Sequence, residues 1–178
     1  ALYAEAGWAG FSFEAVARRA GVGKASLYLR WSSRPDLLRQ AFEARWFAVE
    51  AIDTGDLRGD LSALAKTVAR TLTGPYAGAQ PRLALDAVRH PEVMDGFRPY
   101  SEAVVRQGRA IVRRAIARGE IPERTNPGLL MDLVVGGVTN HLGATPSRLR
   151  PAMMGKLDQF CVELVDTALR GVGARSVG

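Results

Sequence analysis

The chain has 178 residues, 47% of them hydrophobic, which is enough to bury one sizeable core or a small head on a larger body and excludes collagen-like or disordered composition. It carries 24 Lys and Arg against 18 Asp and Glu, a formal charge of +6 that makes polyanions natural partners. Its one cysteine, Cys161, excludes an intrachain disulfide framework, and His90 and His141, far apart and without a Cys at ligand spacing, give a structural zinc site little support.

Leu2 to Ala6 reads as the last turns of a helix stopped by Gly7, and because the chain opens at Ala1 without Met, the start of that helix is expected to be missing. Nothing at the start resembles a secretory signal, and no run reaches the roughly 20 apolar residues of a spanning helix. A cytoplasmic protein is the expectation. Ser12 caps a helix running to Ala20, with Glu14 in the first turn where the helix dipole favours a carboxylate, and Gly21 breaks it. A second short helix covers Lys24 to Trp31. Ser33, with Asp36 three residues on, resembles a capping box for a helix continuing toward Ala48. Asp53 to Gly59 reads as a loop or frayed helix end joining head to body, with domains 1–48 and 49–178.

In the body, Leu61, Leu64, Ala65, Val68 and Leu72 fall at helical spacing before Gly74 and Pro75. A shorter helix, Gln80 to Arg89, precedes Pro91. Pro99 is placed in the first turn of a long helix to Arg118, with Val104, Val105, Gly108, Ile111, Val112, Ala115 and Ile116 inward. Arg106, Arg109, Arg113 and Arg114 point largely outward, and Gly119 stops the element. Asn126 and Pro127 cap and open a helix to Leu142, apolar almost all round from Leu129 to Val138. The last helix, Pro151 to Leu169, carries Met153, Leu157, Phe160, Leu164 and Ala168 on one stripe. Met154, Cys161, Val165 and Leu169 form a neighbouring stripe, so burial against both its own core and a partner is expected. No stretch alternates as a strand would, and the fold class is all-α: a three-helix head carrying a helix-turn-helix, followed by a helical bundle.

The head is the specific part. Phe13, Val16 and Ala17 form an inward face, Gly21 makes the turn with Val22 plugging the space beneath it, and Leu27 and Trp31 anchor the next helix. Between these anchors Lys24, Ala25, Ser26 and Tyr28 are small or polar and point outward, as a helix entering the roughly 12 Å major groove requires. Residues 1–48 hold seven basic side chains against four acidic ones.

From Leu2 to Leu38 this stretch resembles the TetR family of bacterial regulators without a gap. Gly7 and Trp8 match the glycine and aromatic that end helix one, and Ser12 matches the hydroxyl cap. The pattern continues through Val16, Ala17, Ala20, Gly21, Val22, Lys24, Leu27, Tyr28 and Trp31 to Ser33, Arg34, Leu37 and Leu38. Departures are Gly23 where the family usually has Ser, Leu29 and Arg30 in place of common His or Arg pairs, and Pro35. Gly23 removes one phosphate-facing hydroxyl. Gly119 to Leu142 also looks like the regulatory domain of this family.

The resemblance implies DNA contacts at Ser12, Lys24, Ala25, Ser26, Tyr28, Arg30 and Arg34, with Lys24, Tyr28 and Arg34 on phosphates and Ala25 and Ser26 facing bases. Arg18 and Arg19 read as a solvated face, and Arg30 as solvated but within reach of a phosphate. Trp31 and Phe13 read as core anchors, His141 as a core or interface residue, and Cys161 as inert. The Gly136 and Gly137 pair suits close helix approach at a dimer seam or is simply tolerated. Enzymatic activity is not expected: carboxylates are scattered, no glycine loop cradles phosphate, and no cofactor is implied.

The expected function is a sequence-specific, ligand-responsive repressor, a homodimer on a palindromic operator. The rival is a helical DNA-binding or protein-interaction module without an effector. An apolar or amphipathic effector would be lined by Leu64, Val68, Leu85, Phe97, Tyr100, Val104, Ile111 and Met131, chosen as apolar or aromatic residues on converging body helices.

Overall fold

The computed structural model describes residues 1–44 and 52–173, and within them every regular element is helical. The chain divides into two compact units, Ala1–Trp46 with Thr71–Ala103, and Phe47–Arg70 with Val104–Gly178.

The first unit contains α1 (Leu2–Gly10), α2 (Phe13–Ala20), α3 (Lys24–Tyr28), α4 (Arg34–Glu43), α6 (Ala79–Arg89) and the first part of α7 (Pro91–Ala117). Gly7 does not end α1 but kinks it: its backbone turns to φ 64°, ψ −167°, and Trp8 to Gly10 form a further turn. Ser12 caps α2 as expected, its Oγ accepting from the Ala15 amide at 3.1 Å. Gly21 closes α2 in the left-handed region at φ 68°, where a Cβ would crowd the backbone. Gly21→Val is therefore expected to cost about 1–2 kcal/mol, read as a lowered urea midpoint. Ser33 Oγ accepts from the Asp36 amide at 3.2 Å, while the Asp36 carboxylate turns to Arg39 at 2.6 Å and Gln40 at 3.2 Å. The expected continuation toward Ala48, and the boundary at 48, lie outside the described residues.

An aromatic core holds this unit. Tyr3, Trp8, Phe11, Phe13, Leu27, Leu38 and Phe42 from the head are buried together with Ala79, Val93 and Phe97. Phe42 meets Phe97 edge-to-face at 4.6 Å, and Tyr3 meets Phe11 at 5.8 Å, the offset geometry that the ring quadrupole favours. Val22 does not plug the turn; it remains 45% exposed, because the Gly21 turn carries it to the surface.

The second unit holds α5 (Leu57–Thr73) up to Arg70, the remainder of α7, α8 (Pro127–Ala144), a 3₁₀ turn at Ser147–Leu149, α9 (Arg150–Met154) and α10 (Leu157–Val172). The expected loop Asp53 to Gly59 is shorter, since α5 begins at Leu57 with Asp60 in its first turn. Leu61, Leu64, Ala65 and Val68 are buried, as are Ile111, Val112 and Ala115 on α7, Leu130, Val134 and Val138 on α8, and Leu157, Cys161 and Val165 on α10.

Several boundaries differ from the expectation. The long helix starts at Pro91, whose ring suits a first turn, and runs through Pro99, which forgoes only its own missing amide donor. Val105 is 50% exposed, not inward. Arg114 turns inward to the buried Asp60 carboxylate at 3.5 Å. The last helix is two, α9 and α10, parted at Gly155 and Lys156, and Met154 is 45% exposed. On α8, Asn126 Oδ1 accepts from the Gly128 and Leu129 amides at 2.9 and 3.2 Å. Leu129 and Leu133 remain 57% and 46% exposed. α8 and α10 pack so closely that a Cβ on Gly137 would lie 2.7 Å from Leu164 Cδ2. The His141 ring stacks on Phe160 at 3.7 Å and 11°, which fits a core or interface role. Cys161 is fully buried, and burial pushes its thiol up, so the thiolate needed for reactivity is disfavoured.

Candidate nucleic-acid interface

α3 is held by one buried side chain, Leu27, and the rest of it faces outward: Lys24, Ala25, Ser26 and Tyr28 are all exposed, followed by exposed Leu29 and Arg30. The expectation of a helix to Trp31 shortens to Tyr28, although the Trp31 amide still donates to the Leu27 carbonyl at 2.9 Å. Trp31 Nε1 reaches Gln40 Oε1 at 3.0 Å, tying the end of this segment to α4.

Tyr28 lies against Phe13 of α2, ring centroids 4.4 Å apart, so its ring is braced although the residue stays half exposed. Lys24 Nζ sits 5.3 Å from the Tyr28 ring centroid and forms an ion pair with Glu14. That hydrogen bond holds the Glu14 carboxyl below its usual range and raises the Lys24 ammonium. Lys24 therefore stays charged, but a phosphate approaching it competes with Glu14. Ser26 Oγ donates to the Gly23 carbonyl at 2.6 Å. Ser12 serves α2 as its cap, and its side chain is partly buried. Arg34 sits over the Trp8 ring, its guanidinium carbon 4.3 Å from the centroid, and donates to the Phe11 carbonyl at 3.3 Å. It is partly buried, whereas Arg18, Arg19 and Arg30 are exposed.

The structure adds a carboxylate that the sequence did not single out. Asp86 Oδ2 on α6 accepts from the Trp8 amide at 2.8 Å and the Tyr3 hydroxyl at 2.9 Å. The Gly7 kink frees that amide from its helical partner and aims it at α6. Burial, then Asp86, raise the Tyr3 phenol above its ordinary value, so it remains a donor throughout the neutral range. Glu92 accepts from Trp8 Nε1 at 3.1 Å, and Arg82 Nε donates to the Ala4 carbonyl at 2.9 Å. α1 is thereby hydrogen-bonded to α6 through Tyr3, Ala4 and Trp8, and to the first turn of α7 through the Trp8 indole. Asp86→Ala leaves two donors unpaired and is expected to destabilise the head by about 2 kcal/mol, with Asp86→Asn losing less; urea unfolding followed by Trp fluorescence measures both.

The residues expected around an effector are placed separately. Leu64, Val68 and Ile111 are buried in the second unit, which also holds Val104 and Met131, whose Sδ and Cε lie over Gly108. Leu85 is 70% exposed on α6, and Phe97 packs on Phe42 in the first unit. The Tyr100 side chain lies outside the described residues.

A short exposed helix set on a braced helix-turn-helix, with a cation and a phenol at one edge, defines a DNA-binding transcriptional regulator. Residues 1–41 match bacterial regulatory proteins of the tetR family, and residues 51–161 match the tetracyclin repressor-like, C-terminal domain. The chain belongs to the TetR family. It is 33% identical over 148 residues to the HTH-type transcriptional regulator AqdR of Rhodococcus erythropolis, covering 80% of this chain and 71% of that protein. It is 30% identical over 168 residues to the DNA-binding transcriptional repressor TetR of Mycobacteroides abscessus, covering 92% and 83%. The crystal structure of the TetR family transcription regulator SCO0332 superposes with a TM-score of 0.67 at 28% identity, covering 96% of this chain and 92% of that one. A TetR-family regulator from Rhodococcus sp. shares the fold with a TM-score of 0.72 at 22% identity over the same shares. These relatives are regulators, not enzymes. Among the described residues no helix is long and apolar enough to cross a membrane, and no cluster of His, Cys, Asp and Glu could hold a metal ion.

Proposed function

We propose that the chain is a cytoplasmic, effector-responsive repressor that binds a two-fold symmetric operator as a homodimer. In this reading residues 1–48 are the DNA-binding domain and 49–178 the ligand-binding and dimerisation domain. The observation that carries it is α3, which buries Leu27 and exposes Lys24, Ala25, Ser26 and Tyr28. Lys24, Tyr28 and Arg30 take phosphates, and Ala25 and Ser26 face bases. Arg34 must leave the Trp8 ring to reach a phosphate, and Ser12 contributes only if its partly buried hydroxyl bonds outward while still capping α2.

Two heads entering successive major grooves require half-sites about 34–36 Å apart. The second copy is proposed to cover the exposed apolar stripe of α8, Leu129 and Leu133, with α10 completing a four-helix seam. The effector is an apolar or amphipathic molecule placed among Leu64, Val68, Val104, Ile111 and Met131 of the second unit. It acts by favouring a conformer whose head spacing mismatches the operator, for which a few kcal/mol of differential affinity is enough. Selection of duplexes from a random pool, repeated with candidate metabolites, tests the whole reading. A palindromic consensus released by a metabolite is the expected result. A consensus that no metabolite disturbs leaves a DNA-binding module without an effector.

A further inference from the structure

The outward face of α3 carries chemistry narrower than groove binding in general. Ala25 and Leu29 are one turn apart on the same side, Ser26 flanks them, and Leu29 is 88% exposed. A hydroxyl has one proton to donate and two lone pairs to accept with. The Ser26 proton is committed to the Gly23 carbonyl at 2.6 Å, so toward solvent this side chain is an acceptor only.

In the major groove the bases that offer a donor to such an acceptor are adenine, through its N6 amino group, and cytosine, through N4. Guanine presents only acceptors there, and so does thymine apart from its methyl. The second element of the face decides between the two remaining pairs. A thymine methyl gives apolar side chains something to cover, whereas a G·C pair has no methyl. Leu29 and the Ala25 methyl supply that apolar surface beside the Ser26 acceptor.

We propose that Ala25, Ser26 and Leu29 read an A·T pair in each half-site, Ser26 Oγ accepting from the adenine amino group and Leu29 with Ala25 covering a thymine methyl. This rests on the reading of α3 as the recognition helix. Arg30, exposed next to Leu29, has the fork that would read guanine instead, and it supplies the competing outcome.

The test uses the full chain and duplexes selected by the wild type from a random pool. Affinity for the consensus is compared with that for duplexes carrying purine in place of the adenine, which removes the amino group, or uracil in place of the thymine, which removes the methyl. Wild type is expected to lose about fivefold on the purine duplex and about twofold to threefold on the uracil duplex. Ser26→Ala should bind the adenine and purine duplexes equally, and Leu29→Ala the thymine and uracil duplexes equally. A G·C pair at the position whose preference vanishes in Ser26→Ala or Leu29→Ala overturns the proposal, as does wild-type discrimination retained by both of these variants. Those results leave α3 as the recognition helix. Failure of the wild type to enrich any sequence overturns that reading and the proposal together.

Discussion

Asp60→Ala is expected to lower the unfolding free energy by about 3 kcal/mol, because it removes the acceptor from a buried charge cluster. Asp60 is fully buried. Its carboxylate accepts from the Thr54 amide at 2.6 Å and hydroxyl at 2.9 Å, and faces Arg114 at 3.5 Å and Arg118 at 3.9 Å. Arg114 also donates to the Ile52 carbonyl at 2.6 Å, while its Nε is buried without a hydrogen-bond partner. Losing Asp60 therefore strands the Thr54 amide and leaves the Arg114 guanidinium short of its counter-charge. Water reaches part of the Arg114 side chain, which is 36% exposed, and this keeps the cost near the lower end of the range for breaking a buried pair. Asp60→Asn retains a carbonyl acceptor for Thr54 and should lose clearly less. Urea unfolding of the full chain measures both; a loss under about 1 kcal/mol for Asp60→Ala would show that Glu120, which already pairs with Arg118 and accepts from the Leu57 amide, takes over.

Leu164→Asp should give monomeric or unfolded protein. The Leu164 side chain is partly buried and fills the space left by Gly137, so a carboxylate there faces the α8 backbone with no donor supplied, at a cost on the order of 2 kcal/mol, more where a second copy covers it. Because that variant strikes the α8–α10 packing of one protomer as well as any seam, Leu133→Asp is the sharper probe. Leu133 is 46% exposed in the single chain, so a charge there leaves the protomer folded. Sedimentation should show a folded monomer for Leu133→Asp and a dimer for the wild type. A folded, unchanged dimer in both variants would move the interface away from this face of α8 and α10.

Much of the head was legible because its signals are local. Ser12, Gly21 and Ser33 act within one turn of themselves, and the spacing of Phe13, Ala17 and Leu27 fixes which sides of α2 and α3 turn inward. What escaped depends on partners distant in sequence. Gly7 announces a helix stop, but only the acceptor at Asp86 explains why the chain kinks there and continues. The inward turn of Arg114 follows from Asp60, whose burial no periodicity reveals. Pro99 misled for the opposite reason. Proline is favoured in a first turn, yet Pro91 met that preference earlier, and a long packed helix tolerates the loss of one hydrogen bond. Similarly, Arg34 looked like a phosphate ligand by position, whereas the Trp8 ring beside it offers its guanidinium a competing seat. The expected effector residues share only their apolar chemistry, and Phe97 shows why that is insufficient: an aromatic on a body helix serves equally well in the core of the head.

If Lys24 to Tyr28 is the element that meets DNA, the salt dependence of binding must change when its cation is removed. Lys24→Ala is expected to weaken binding by similar factors on every operator variant and to reduce the slope of log K against log salt by about 0.9, the signature of one lost phosphate contact. Tyr28→Phe, which keeps the ring against Phe13 and removes only the hydroxyl, should also weaken all sequences alike while leaving the slope near that of the wild type. Wild-type affinity and an unchanged salt slope in a folded Lys24→Ala, Tyr28→Phe double variant would show that another element meets DNA.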